Sequence, residues 1–288
     1  MKFLIVTLCM IATICAYHIK KNEHNLKIGK VEYTRIPVKY SFGKLDKSSI
    51  IPTEELLKRF AHKMDASPQA GTQAVLNDYA DKIFTNLQNL MIHNGFDPLE
   101  MPDLHTGFNY TLIITYYGDL DLTNGWLSDI STMHRGGDVL VEYSSNTRNL
   151  EITVPITFND MMFTYDYAAT IMGLGPKGGI DGKITDINIE AKLGFNTETF
   201  EATLEEFYIT HTGTIHVEFN GNDLIDWLLN LLTDVATVIL KEAILLVVEG
   251  IVRDGLNTAV DAINDAINGF LNPTTPIPST TVATFMFK

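Results

Sequence analysis

One segment near the end of the chain constrains the possible folds more than any other. Between residues 224 and 251 the chain would form a helix that is apolar on nearly every side, and helical periodicity runs from a cap at residues 222–223 to about Asn268. A helix that is apolar on nearly every side must be buried all round. At 1.5 Å per residue it would be roughly 70 Å long, and we expect it to bend or break near Gly250 and Gly255.

A membrane span is the alternative interpretation of this helix. The charges of Lys241, Glu242 and Glu249 interrupt the apolar run, and Asp226 and Asp234 lie in its first turns. Charged residues are costly inside a bilayer, so this pattern favours a helix buried in a protein core.

Before this helix, between residues 108 and 219, apolar residues recur at every second position, as in antiparallel strands with one buried face. The alternating sets are Phe108–Tyr116, Val139–Tyr143, Leu150–Phe158, Met161–Tyr167, Ile187–Phe195 and Phe207–Phe219. A sheet with one apolar face and an apolar helix can bury each other. The sequence therefore predicts an α+β fold, with a curved antiparallel β-sheet wrapped around the long C-terminal α-helix in one elongated domain.

The first 16 residues are typical of a secretory signal peptide. Lys2 precedes an apolar run that ends at Cys15 and Ala16, and the run is too short to span a membrane. We therefore predict a secreted, extracellular protein with no transmembrane segment. Both cysteines, Cys9 and Cys15, lie in this segment, so the mature chain would depend on its core rather than on disulfides.

Residues 17–71 are predicted to form a basic N-terminal arm. Residues 17–50 have few periodic apolar positions, which suggests a flexible or loosely docked segment, and one short amphipathic helix begins at Pro52. A second helix is predicted from about Thr72 to Asn94, within a body of residues 72–271 that is followed by a Thr/Pro-rich tail, 272–288.

Charge separates the arm from the rest of the chain. Residues 17–70 carry eleven Lys/Arg against six Asp/Glu, whereas residues 71–288 carry nine against 29. An acidic body argues against nucleic acid and against anionic membranes as main partners. The pattern does not define an oligomeric state.

Three groups of residues could in principle form a nucleotide or metal site, but the sequence around each gives little support. Gly173–Gly178 matches the dinucleotide-binding spacing, but a strand rather than a helix follows it. His211, placed on the apolar face, and His216 are an odd number of residues apart in a strand and cannot share a metal. Asp119 and Asp121 share a face, yet no further oxygen ligands follow at calcium-loop spacing, so a solvated turn is favoured.

The sequence lacks three common catalytic motifs, although a catalytic triad can also be assembled from distant positions, as in an unrecognised hydrolase. It has no Gly-x-Ser-x-Gly elbow, no His-Glu-x-x-His and no cysteine after the signal. We predict no enzyme activity, no cofactor and no metal site. Asn109-Tyr110-Thr111 is an acceptor sequence for N-glycosylation on the solvent side of its strand.

Three short segments resemble the mite group 7 allergen family, which also has insect members. They are Phe96–Asp103 (FDPLEMPD), Gly118–Asn124 (GDLDLTN) and Met133–Val139 (MHRGGDV), and with the helix–strands–helix plan the resemblance covers roughly residues 72–270. It implies a fold related to bactericidal/permeability-increasing protein and to juvenile hormone-binding and takeout proteins, in which a sheet is rolled around a long helix to form a lipid-binding super-roll. The motif residues suit turns, and none is assigned a ligand role.

The function that follows is binding of a hydrophobic, lipid-like small molecule, as a carrier or a sensor. The residues expected to line its site are Leu112, Ile114, Ile152, Val154, Ile156, Phe163, Tyr165, Ile189, Phe207, Ile209 and Trp227. One alternative is an innate-immune recognition module for bacterial lipids or lipopeptides. The other is a protein-interaction module with no small ligand. Either would present an exposed apolar groove or patch at one tip.

Overall fold

The structure, a computed structural model, describes residues 26–34, 39–45, 68–111, 113–144, 148–196, 198–221 and 226–271. The predicted signal peptide, the predicted helix that begins at Pro52 and the predicted tail all lie outside these residues. The described residues include two long helices, α1 (Pro68–His93) and α2 (Asp226–Leu271), and most of the strands lie between them in sequence. The strands are β1 (Leu26–Ile28), β2 (Glu32–Thr34), β3 (Leu99–Glu100), β4 (Asp103–Thr111), β5 (Thr115–Ser128), β6 (His134–Arg135), β7 (Leu140–Ser144), β8 (Asn149–Thr157), β9 (Met161–Ile171), β10 (Lys177–Ile184), β11 (Asn188–Asn196), β12 (Glu201–His211) and β13 (Ile215–Asn220).

The described strands form two antiparallel sheets. Sheet A has the order β1-β4-β5-β9-β10-β13, with β2 also pairing with β4 and β3 with β5. Sheet B has the order β12-β11-β8-β6, with β7 also pairing with β8. Curled antiparallel sheets packed on a long C-terminal helix are the predicted α+β fold class, which is confirmed. The division of the strands into two sheets is what the alternation did not show.

Helix α2 packs most closely against β12 and β13 and forms the centre of the core. Leu232, Ile239 and Val248 on this helix are fully buried. None of the helices that the structure describes has a stretch long and apolar enough to cross a membrane.

The prediction that α2 is buried on every side is wrong. A stripe that repeats every four residues stays exposed, and it includes Val238, Glu242 and Leu246. Val238 and Leu246 in this stripe are apolar, so hydropathy does not distinguish these two positions from the buried ones. The helix is continuous from Asp226 to Leu271, so it does not break at Gly250 or Gly255, and a bend there stays a prediction.

These two glycines instead admit aromatic rings from the N-terminal arm. A Cβ on Gly250 would lie 3.2 Å from the Tyr40 ring, and one on Gly255 would lie 3.2 Å from the Phe42 ring. The Tyr40 amide also donates a 2.6 Å hydrogen bond to a carboxylate oxygen of Asp254. Without side chains at the two glycines, the arm can approach the helix backbone closely.

The prediction of a flexible or loosely docked arm is therefore wrong for its described residues. β1 and β2 both pair with β4, and Tyr40, Phe42 and Leu45 are buried in the core. The arm looked unstructured because its strands have only three residues each, too few to show a periodic pattern.

Helix α1 confirms the second predicted helix and contributes Phe84, Leu87 and Met91 to the core. It ends where Gly95 adopts a φ of +73°, and the Phe96 amide donates to the Met91 carbonyl at 2.8 Å. Glycine is favoured at such a left-handed C-terminal stop.

The run from Phe108 to Tyr116 is not one strand. It folds into a hairpin in which Tyr110 pairs with Tyr116 and Thr111 with Thr115. Paired residues in this hairpin are an even number of positions apart, so the alternation of apolar residues continues through the turn. Period-two alternation cannot reveal such a turn, so it predicts that Ile114 lies on the apolar face, whereas this side chain is about half exposed.

Candidate ligand-binding site

The candidate site lies where sheet pairing ends. β12 is the terminal strand of sheet B and β13 that of sheet A, they follow each other in the chain, and α2 packs against both. We define the seam as the apolar residues that these three elements contribute along that junction. They are Leu204, Phe207 and Ile209 of β12, Ile215, Val217 and Phe219 of β13, and Trp227 of α2.

Burial distinguishes the seam from the central strands of sheet A. The inward residues of the central strands of sheet A, such as Leu120, Leu122 and Phe163, are almost completely buried. The inward residues of the seam are only partly buried, although they pack against the same core. Apolar surface therefore stays accessible along the junction of β12, β13 and α2, which is the kind of surface that an apolar ligand can cover.

Two β-bulges orient the β12 side of the seam. In the pairing with β11, Leu204 stands opposite Leu193, Phe207 opposite Ala191 and Ile209 opposite Ile189. The register shifts leave Glu205 and Thr210 as extra residues. Each extra residue reverses which side chains face inward, and the first shift explains why both Leu204 and Phe207 can point to the core.

Aromatic contacts hold the seam's walls in place. The Trp227 ring packs against Tyr116 of β5 with centroids 5.8 Å apart, which ties the start of α2 to one end of sheet A. Phe219 meets the Tyr167 ring edge-on at 4.7 Å. The guanidinium of Arg253 lies 4.9 Å from the centre of the Phe207 ring, a cation–π distance, and its Nη2 donates to Glu249 at 2.8 Å.

One end of the seam is closed by hydrogen bonds from α2. The Asn264 side chain accepts from the Ala202 amide at 2.8 Å and donates to the Ala202 carbonyl at 2.9 Å. It thereby satisfies the backbone of the edge strand as a neighbouring strand would.

One unusual polar group lies beside the seam. The hydroxyl of Tyr167 is buried and has no hydrogen-bond partner among the described residues, while its ring contacts Phe219. Leaving a buried hydroxyl unbonded costs roughly 1–3 kcal/mol. A ligand oxygen placed beside it would remove that cost.

The structure brings together only some of the residues predicted to line a site. Phe207, Ile209 and Trp227 lie in the seam. Val154, Ile156 and Ile189 are buried within sheet B, where Ile152 is partly buried. The remaining predictions fall elsewhere: Phe163 and Tyr165 are buried in β9, Ile114 lies in the exposed turn and Leu112 is outside the described residues.

Tyr165 has a structural role. Its hydroxyl donates to the Pro102 carbonyl at 2.9 Å in a buried setting, and burial raises the pKa of this phenol well above its usual value. Sequence reasoning did not select Tyr167, Val217 or Phe219 as site residues, although their alternation was visible. The available signal was their position: strands just before a long buried helix are candidates for sheet edges.

The first of the three family-like segments, Phe96–Asp103, is held by hydrogen bonds to a distant part of the chain. Asp97 accepts hydrogen bonds from the amides of Asp129 and Ser131, at 2.9 and 3.0 Å, and from the Ser131 hydroxyl. Asp103 accepts from the Asn124 amide at 3.3 Å, which joins the first segment to the second at a position where Asn124 has a φ of +54°.

The third segment attaches α1 to sheet B. Arg135 donates from Nε and Nη2 to both carboxylate oxygens of Asp81, at 2.9 and 3.0 Å. The Asn77 side chain accepts from the Val139 amide at 2.8 Å and donates to Asp138 at 2.9 Å. All three segments thus make tertiary hydrogen bonds away from the seam.

The weak chemical constellations resolve into ordinary structure. His211 is exposed rather than on the apolar face, because the second bulge of β12 precedes it. Gly173 has a φ of +81° in the turn between β9 and β10, which confirms a loop between strands. The predicted solvated turn at Asp119 and Asp121 is wrong, because both residues lie on the exposed face of β5. Asp121 binds His105, with Nδ1 and Oδ1 2.6 Å apart. Within the described ranges, no three His, Cys, Asp or Glu side chains cluster closely enough to hold a metal ion.

Asn109 lies in β4 between β1 and β5, opposite Lys27 on one side and Tyr117 on the other. It faces away from the core and is partly exposed. Its glycosylation stays a prediction.

Antiparallel sheets curled against a long C-terminal helix, with an apolar seam at the sheet edges, define the class of fold. A sequence profile of the Group 7 allergen family matches residues 75–260, and the chain belongs to that family. No curated protein matches the chain.

Two solved structures are similar to parts of this chain at low sequence identity. A lipopolysaccharide binding protein is 15% identical with a TM-score of 0.37, over 67% of this chain and 38% of that one. Takeout 1 of Epiphyas postvittana is 16% identical with a TM-score of 0.32, over 73% of this chain and 93% of that one. The matched region therefore spans well under half of the lipopolysaccharide binding protein.

Proposed function

We propose that this chain is a secreted protein that binds an apolar, lipid-like small molecule in the seam, as a carrier or a sensor and not as an enzyme. The single observation that carries the proposal is the incomplete burial of apolar side chains along β12, β13 and α2. A hydrocarbon chain laid along the seam would complete their burial. Each methylene buried contributes about 0.8 kcal/mol, so ten would contribute about 8 kcal/mol before the entropic cost of binding.

The Tyr167 hydroxyl supports a ligand with a polar atom. It is the buried group on the seam wall without a hydrogen-bond partner among the described residues. A hydroxyl, ester or carboxylate oxygen of the ligand would pair with it, whereas a plain hydrocarbon would not. Sites for small apolar ligands commonly combine an apolar lining with a few polar groups that fix orientation.

The absence of catalysis is proposed from the composition of the seam. All seven of its residues are apolar or aromatic, and Arg253 beside Phe207 is held by Glu249. None of these groups is a nucleophile or a general base placed against another reactive group. The formal charge of −14 favours a neutral or weakly polar ligand. It disfavours strongly anionic bacterial lipids, which an innate-immune recognition module would bind.

The first experiment is native mass spectrometry of the full chain secreted from a eukaryotic host, followed by solvent extraction of whatever is bound. A stoichiometric lipid-like adduct supports the proposal and identifies its chemical class. An empty protein that also takes up no fluorescent fatty acid or fatty alcohol contradicts it.

Tryptophan fluorescence then locates the ligand. The chain has two tryptophans, of which Trp126 is exposed and Trp227 lies in the seam, so Trp126→Phe leaves Trp227 as the reporter. Val217→Asn should reduce fatty-acid binding about tenfold, since it places an amide against the hydrocarbon chain. The adjacent outward-facing His216→Asn should leave binding unchanged, and equal losses in both variants would place the ligand elsewhere.

Tyr167→Phe isolates the polar contact. It should leave the unfolding midpoint unchanged or slightly raised, because it removes a buried hydroxyl that has no described partner. Affinity for a fatty alcohol should fall by about threefold to tenfold relative to an alkane of equal length. Parallel losses for alcohol and alkane would show that the hydroxyl does not contact the ligand.

A further inference from the structure

Two hairpin turns lie side by side at one end of sheet A and expose large apolar side chains. The β4–β5 turn carries Ile113, 86% exposed, with Ile114, and Tyr117 follows it at 68%. The β9–β10 turn carries Met172, 61% exposed, and Leu174. We define these five residues as the apolar tip.

Strand pairing places the two turns together. Gly118 of β5 pairs with Ile171 of β9. Tyr117 and Met172, the next residue along each strand, therefore lie at the same end of the sheet. Thr115 lies three residues beyond Gly118, which extends the β4–β5 turn about 10 Å further than its neighbour. The Trp227–Tyr116 contact puts the start of α2, and hence one end of the seam, at this same end of the sheet.

The tip carries no charge. Residues 108–118 and 167–176 contain no Asp, Glu, Lys or Arg, in a chain that has 56 such residues among 288. The first charges behind it have both signs: Lys27 opposite Asn109, Asp119 opposite Thr170, and Lys177 opposite Ala168, with Asp226 at the start of α2. An exposed apolar patch rimmed by charged residues is typical of an interaction site.

We infer that the apolar tip inserts into the surface of a neutral, zwitterionic lipid layer. Ile113, Ile114, Met172 and Leu174 would enter the acyl region, and Tyr117 would lie at the headgroup level, where the ring of tyrosine is favoured. Rim charges of both signs match headgroups that also carry both signs. The net charge of −14 disfavours approach to an anionic surface.

This contact would bring the Trp227 end of the seam to the lipid layer, but it does not depend on a ligand in the seam. The test is flotation of the full-length secreted protein with phosphatidylcholine vesicles, and separately with vesicles that also contain phosphatidylserine. The tip variant is Ile113→Asp with Met172→Asp; Met172 has a φ of +51°, which aspartate tolerates better than most residues. The matched control is Leu140→Asp with Tyr143→Asp, two exposed apolar residues on β7.

The wild type and the control should float with phosphatidylcholine vesicles, and the tip variant should partition about a hundredfold more weakly, roughly tenfold for each residue removed. The tip variant should still bind a fatty acid added from ethanol, so loss of both properties would indicate a misfolded protein, which circular dichroism would reveal. The inference is overturned if the wild type does not float, if the tip variant floats as well as the control, or if binding requires phosphatidylserine. A dimer that the tip variant abolishes, seen by light scattering without vesicles, would also overturn it and identify a second copy as the partner.

Discussion

A Cβ atom at residue 125 would overlap the ring of Tyr165, so the two residues can be neighbours only because residue 125 is glycine. The contact occurs at a bulge where two residues of β5, Asn124 and Gly125, lie opposite Tyr165 of β9, between the Thr123–Asp166 and Trp126–Thr164 pairs. The ring cannot easily move away, because its hydroxyl is bonded to the Pro102 carbonyl.

Gly125→Ala should therefore destabilise the protein by about 1–3 kcal/mol, the usual cost of overpacking a core. Urea denaturation followed by circular dichroism measures it. Gly175→Ala is the control, since its added Cβ would meet only the Ala169 carbonyl oxygen at 3.9 Å. A stable Gly125→Ala protein would mean that the Tyr165 ring is not fixed over the bulge.

Phe42→Ala should cost about 3–5 kcal/mol, the range for removing a buried aromatic ring. Phe42 is fully buried against Gly255 and meets the Phe96 ring at 5.3 Å. Tyr143→Ala, at an exposed position, should cost less than about 1 kcal/mol. Equal, small losses in both variants would show that the arm is only loosely attached.

Asp97→Ala should destabilise by about 2–4 kcal/mol, because it leaves the amides of Asp129 and Ser131 without their acceptor. Asp160→Ala removes an exposed carboxylate that binds Lys183 at 3.1 Å and should change the unfolding free energy by less than about 1 kcal/mol. The comparison is made by chemical denaturation at neutral pH. Similar values for the two variants would refute the structural role of the first segment.

The pKa of His105 should lie above 6.5, because its hydrogen bond to Asp121 and the negative charge of that residue favour the protonated ring. A raised pKa means that this pair stabilises the fold below about pH 6.5 and that the contribution is lost as the pH rises through the folded-state pKa. Both side chains are about half exposed, so the effect on stability is about 0.5 kcal/mol or less. Titration of the ring by NMR measures the pKa directly, and Asp121→Asn should lower it; an unchanged value in that variant would contradict the pairing.

Sequence periodicity was sufficient for the main elements. Local patterns predict both long helices, α1 with its stop at Gly95 and α2, and they also predict the alternating strands. Each of these depends on which residues lie on the same face of one element, and such information is present in a short stretch of chain. The three short segments were sufficient to predict the family, and all three lie within residues 75–260, which the family profile matches.

Periodicity was insufficient wherever two elements had to be placed against each other. It ran through the Tyr110–Tyr116 hairpin without a break, and it misplaced His211 because bulges in β12 are defined by the pairing with β11. The three-residue strands β1 and β2 gave no signal, yet they pair with β4.

Local patterns along the chain are enough to predict one-faced strands, a long apolar helix and a body without a recognisable catalytic motif. Which apolar faces are covered completely depends on how these elements pack together. Phe163 and Val217 have similar alternating contexts, but β9 has a strand on both sides and β13 has only one neighbour among the described strands. Burial is a property of all the elements that surround a residue, and the seam therefore becomes visible only when the sheets, the bulges and α2 are assembled.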